Sequence, residues 1–142
     1  MNPEEETRTE EFFLFCEKGD VVAVEIMIEE GVDVRALDDG ALQHACENGH
    51  LEIVRLLFMH GANVHANDDN PLRCAAENGH LEVVRLLLEN GADVHANDDW
   101  ALRLASNNGH LKVVRLLLET GANAHLCDDE MFKRCMSLAW KQ

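Results

Sequence analysis

The chain has 142 residues, 46% of them apolar, and 27 Asp and Glu against 12 Lys and Arg leave a net charge of −15 with histidine neutral. A surface this acidic repels phosphate backbones, which argues against nucleic-acid or anionic-membrane binding and for basic partners, besides favouring solubility. No apolar run approaches the roughly 18–20 residues of a membrane span. Met1 to Glu11 carries five Glu and one Arg, the wrong charge for a signal or transit peptide. The five cysteines (Cys16, Cys46, Cys74, Cys127, Cys135) are odd in number and include no Cys-x-x-Cys pair. A cytoplasmic protein is expected, with its thiols serving as small apolar filler in a reducing compartment.

Residues 1–11 read as an acidic, flexible lead-in. A 30-residue period then organises the chain. It is cleanest from Asn78-Gly79-His80-Leu81 to Asp98-Asp99, and recurs from Asn48-Gly49-His50-Leu51 to Asp68-Asp69 and again from Asn108-Gly109-His110-Leu111. Self-similarity at a fixed period marks an array of stacked units, each touching only its neighbours. Residues 12–37 are a faded first copy and an N-terminal cap. Phe12 falls in the register of Leu42, Leu72 and Leu102, with Asp20 where later copies have His and Glu25 where they have Arg. Units 38–67, 68–97 and 98–127 follow, and residues 128–142 form a C-terminal capping helix.

Each central unit predicts two helices. An Asp-Asp pair precedes the first, at Ala41-Leu42, Pro71-Leu72 and Ala101-Leu102, and the second Asp of each pair is read as an N-cap. Pro71 suits the first turn, where its missing N–H costs nothing. That helix runs about nine residues to Asn-Gly. The second runs about eleven, from His50, His80 or His110 to Gly61, Gly91 or Gly121. In it Leu81, Val84, Leu87 and Leu88 form an apolar stripe widened by Val83 and Leu86, while Glu82, Arg85 and Glu89 face water. A connector of about eight residues without strand character closes the unit. The expected fold class is all-α, a solenoid of stacked helix-turn-helix units.

Gly-Ala-Asp-Val-His-Ala-Asn, Ala-Leu-Arg-Leu-Ala and Asn-Gly-His-Leu-x-Val-Val-Arg-Leu-Leu-Leu-Glu resemble the ankyrin repeat over about residues 10–140. Ankyrin units usually run 33 residues, with a β-turn finger and Thr-Pro-Leu-His opening the first helix. Here only four residues separate Ala96 from Ala101, and only Pro71-Leu72 echoes the Pro-Leu step. Short loops are therefore expected in place of β-hairpin fingers. The clipped, Asp-Asp-marked period is similar to arrays that giant DNA viruses encode in many copies.

The resemblance implies a non-catalytic module that binds a protein on its concave, inner-helix side. The positions there are Gly40, Asn70 and Trp100; Gln43, Arg73 and Arg103; and Glu47, Glu77 and Asn107. They differ between copies, whereas the apolar positions barely do. Trp100 is the candidate hot spot, with Arg73 and Arg103 near enough to grip a carboxylate; the alternative is an indole packed over its own connector. Partner-binding candidates are thus Trp100, Arg73, Arg103, Asn70, Gln43, Glu47, Glu77 and Asn107.

Histidines recur at 50, 80 and 110 and at 65, 95 and 125, but equivalent positions on stacked helices lie about 8–10 Å apart. Zinc bonds of about 2 Å cannot bridge that gap, so the helix-start histidines are expected to bond backbone in the inter-unit turn. The Asp pairs lack the Gly and bidentate Glu of a calcium loop. Arg55, Arg85 and Arg115 with Glu52 and Glu82 read as a solvated face. No phosphate loop, hydrolase elbow or Cys with an identifiable His base appears, every Cys falling at a core-like, capping or connector position, and no enzyme activity, metal or cofactor is expected. Met131, Leu138 and Trp140 lie partly outside the stripe of the last helix. They belong either to a cap folded onto the array, which leaves a monomer, or to an exposed end through which copies self-associate.

Overall fold

The computed structural model describes residues 2–126 and 130–140. Among these residues the chain forms nine α-helices and no strand. They are α1 (Pro3–Lys18), α2 (Val21–Glu29), α3 (Ala36–Asn48), α4 (Leu51–Met59), α5 (Ala66–Glu77), α6 (Leu81–Glu89), α7 (Ala96–Asn107), α8 (Leu111–Glu119) and α9 (Glu130–Ala139), with a 3₁₀ turn at Ala124–Leu126. Helices α1, α3, α5 and α7 stack in one row and α2, α4, α6 and α8 in a second, each packed against its predecessor in the row. The core is a single ladder running through the stack: Phe12, Leu42, Leu72 and Leu102 from the first row, Val24, Val54, Val84 and Val114 from the second. This is an all-α solenoid, as the 30-residue period predicts.

Residues 3–11, expected as a flexible lead-in, are instead the first turns of α1. Asn2 accepts from Glu5 N at 2.9 Å while the Glu5 side chain reaches back to Asn2 N at 3.4 Å, closing a capping box. Glu4, Glu5 and Glu6 then sit where the helix dipole favours negative charge. The acidic run that reads as disorder in sequence is a helix start.

The connectors carry the main surprise. Leu37-Asp38-Asp39, Asn67-Asp68-Asp69 and Asn97-Asp98-Asp99 each place three consecutive residues in the left-handed region, with φ between 51° and 58°. Such a turn costs an ordinary residue roughly 1–2 kcal/mol, and Asn and Asp tolerate it best. It replaces the β-hairpin finger, in keeping with the expected short loops. It also overturns the N-cap reading of the second Asp. Asp39, Asp69 and Asp99 are buried, and none caps its own helix. Each accepts instead from the backbone 24 residues on: Asp39 Oδ1 from Asn63 N at 2.9 Å, Asp69 Oδ1 from Asp93 N at 2.9 Å, and Asp99 from Asn123 N. His65 Nδ1 and His95 Nδ1 donate to Asp69 and Asp99 at 3.0 Å, and Arg35 takes that place at Asp39. The left-handed turn aims each carboxylate at the next connector, so it staples neighbouring units.

The helix-start histidines bond the inter-unit turn as expected. His50, His80 and His110 donate through Nε2 to the carbonyls of Glu17, Glu47 and Glu77 at 2.7, 2.9 and 2.8 Å. At the far end α9 departs from the pattern by packing against α8 as well as α7. It buries Phe132 and Cys135, and Cys135 Sγ donates to Ser106 O at 3.3 Å. The expectations about Cys127, Asp128, Asp129 and the Met131 side chain lie outside the described residues.

Candidate functional site

The first row presents the positions that differ between copies. A register of 27 residues links first helices to the next at two places, Phe13 with Gly40 and Arg73 with Trp100. Phe13 lies over Gly40, where a Cβ would come within 2.6 Å of its ring, and also stands 5.4 Å from the His44 ring. Arg73 lies over Trp100, its guanidinium carbon 4.9 Å from the ring centroid. By sequence position, Gln43 and Asn70 fall in the corresponding registers of the unit between them.

Trp100 is the first residue of the right-handed part of α7, so the left-handed turn before it sets where the indole points. It is 40% exposed. A small depression around it is walled by Asp68, Asp93, Asn97 and Arg73. Asp68 and Asp93 are exposed, and Arg73 is half-buried. The site is thus an indole with a guanidinium on it and carboxylates at its rim. Such a surface takes the aliphatic stem of a basic side chain on the ring edge and its charged head on the carboxylates.

The structure brings together Trp100 and Arg73 of the predicted set. Arg103, Glu47, Glu77 and Asn107 are exposed and Gln43 is half-buried, spread along the same row. Asn70 is corrected: predicted on the binding surface, it is only 6% exposed, and its side-chain oxygen has no hydrogen-bond partner among the described residues. Arg73 of the preceding unit lies over the Trp100 ring, and Ala96 and Asn97 of the indole's own connector line the same depression. Phe13 was missed, although 30-residue arithmetic places it with Gln43, Arg73 and Arg103.

The second row shows the expected exposed ion pairs, Arg55 with Glu52 at 3.6 Å and Arg85 with Glu82 at 3.5 Å, while Arg115 pairs with Glu119 at 3.1 Å and stacks on Trp140. Each is worth roughly 0–1 kcal/mol. Among the described residues no group of three or more His, Cys, Asp or Glu converges to hold a metal ion. None of the helices there is long and apolar enough to cross a membrane.

Residues 66–128 match the family model described as ankyrin repeats (3 copies), and residues 42–88 match the one described as ankyrin repeats (many copies). No curated protein matches the chain significantly. Ankyrin repeats generally mediate protein–protein interaction. The two matches fall on the same 30-residue units that the helix pairs define, and the chain belongs to the ankyrin repeat family.

Proposed function

We propose that the chain is a non-catalytic adaptor that holds a basic segment of a protein partner along the exposed edge of its first-helix row. Trp100 is the anchor. The observation that carries this reading is a large aromatic side chain standing 40% exposed where preceding copies have Gly40 and Asn70, fenced by Asp68 and Asp93. Trp and Arg dominate binding energy in interfaces far beyond their share of area. Gln43, Glu47, Glu77, Arg103 and Asn107 extend the contact, and the net charge of −15 speeds the approach of a basic partner.

The test is affinity capture of the partner from the cytosol of the source cells, followed by titration of the purified pair. Trp100→Ala weakens binding at least about tenfold, or about 1.4 kcal/mol, while the melting temperature stays within a few degrees of wild type. A Trp100→Ala, Arg103→Ala double variant that binds like wild type removes this surface as the site.

A further inference from the structure

The two ends of the stack are complementary. Leu14, Val22 and Ile26 are exposed at the α1–α2 end, Val22 by 65%. The later copies of Leu14 and Ile26 are buried or half-buried, whereas those of Val22 (Glu52, Glu82 and Lys112) stay exposed. Cys74, in the register of Leu14, is buried. Leu86, in the register of Ile26, shares a groove with Phe58 and Met59 of α4. Lys112, in the register of Val22, lies beside Leu81 and Arg85 of α6. Val22 is apolar where those copies are charged (Glu52, Glu82 and Lys112). The first unit therefore leaves open, at Leu14 and Ile26, positions that internal units cover, and adds an apolar residue, Val22, beside them where internal units carry charge.

The opposite end carries the matching chemistry. Helix α9 turns Phe132 and Cys135 inward and exposes Lys133, Arg134 and Leu138, the last by 49%. Charge follows the same polarity. Residues 1–39 hold thirteen acidic and three basic side chains, net −10, whereas residues 100–142 hold four acidic and six basic, net +2. Even the register of Arg55, Arg85 and Arg115 is reversed at the first unit, where Glu25 is exposed.

We propose that copies of this chain stack head to tail, the α1–α2 end of one docking on the outer side of α9 of the next. Leu14, Val22 and Ile26 meet Leu138, and Glu25 faces Lys133 and Arg134. The contact is heterologous, so a joined pair still has one end of each kind unused and further copies add there. The overall charge of −15 opposes this only at long range. At about 0.15 M salt the screening length is about 8 Å, so the bodies of two stacked copies are screened from each other while the facing ends are not. The inference is independent of the reading of the first-helix edge, which stays open in such a stack.

Sedimentation velocity on the full chain, from low to several hundred micromolar at about 0.15 M salt, tests it with two variants. Val22→Lys with Glu25→Arg blocks the first end using residues that later copies carry at those positions, so folding is preserved; Arg134→Ser with Leu138→Ser blocks the other. Wild type is expected to grow in mean mass with concentration and pass the dimer. Each variant alone stays monomeric, and an equimolar mixture of the two forms dimers and stops there. Melting followed by circular dichroism checks that both remain folded. A wild type that is monomeric throughout overturns the proposal, as does a folded first-end variant that associates like wild type, which would instead indicate a joint between two α9 ends.

Discussion

Gly79 is fixed by two independent constraints. Its φ is +75°, and a Cβ on it would lie 2.5 Å from Nδ1 of His110, the ring that bonds Glu77 O across the same turn. Gly91 has a φ of +93° but open space around it. Gly79→Ala is therefore expected to cost about 2–3 kcal/mol and Gly91→Ala about 1 kcal/mol, read by urea unfolding. In a His110→Ala background the cost of Gly79→Ala falls toward that of Gly91→Ala, because only the backbone strain remains. Thiol titration gives a second residue-scale test. Burial pushes Cys16 up from about 9 to about 12, and pushes Cys46 and Cys74 upward as well. The unfolded chain thus loses these protons first. Their contribution to stability is complete below about pH 9 and, for Cys16, is lost as pH rises toward about 12. Melting temperature measured against pH should decline across that window, and a thiol reagent at pH 8 should leave Cys16 and Cys46 unmodified until the chain unfolds.

At the scale of elements, the left-handed turn explains residues that helix rules misread. Asn67-Asp68-Asp69 and Asn97-Asp98-Asp99 use residue types that tolerate positive φ, and the last of each is held by the backbone of the next connector. Leu37 is the exception, an apolar residue 65% exposed at φ 53°. Leu37→Asn should stabilise the chain by about 0.5–1 kcal/mol and raise its melting temperature by about 3 °C. Asp69→Ala should cost about 2–3 kcal/mol by stranding Asp93 N and His65, whereas Asp68→Ala on the exposed neighbour should cost under about 0.5 kcal/mol. Equal effects of the two would contradict the staple. An Asp before a short helix ordinarily signals an N-cap; the run Asn-Asp-Asp was the available sign of left-handed backbone, and only the structure shows where the carboxylate goes.

The whole molecule is a line of units, so stability is expected to vary along it rather than be shared. Amides of α5 and α6, packed on both sides, should exchange more slowly than those of α9, and Phe132→Ala should speed exchange in α9 while leaving α5 unchanged. Much of this architecture was legible in sequence. Because each unit makes the same local contacts, a 30-residue period specifies helix pairs, their order and the buried ladder from Phe12 to Val114. The histidine-to-carbonyl bonds followed from the same logic. The candidate site was legible only as a set of varying positions. Asn70 and Trp100 share one register, yet one is buried and the other 40% exposed beneath Arg73 of the preceding helix, a difference that only packing between units sets. What the sequence determined alone is whatever repeats, since a repeated neighbour makes a repeated contact. What the tertiary structure decided is whatever depends on pairing across units: the inward turn of Asp39, Asp69 and Asp99, the Arg73–Trp100 stack and the packing of α9 against α8, as in the stacking of Arg115 on Trp140. Those contacts join residues some 24 to 30 positions apart, and their geometry is set by a backbone turn that no periodicity encodes.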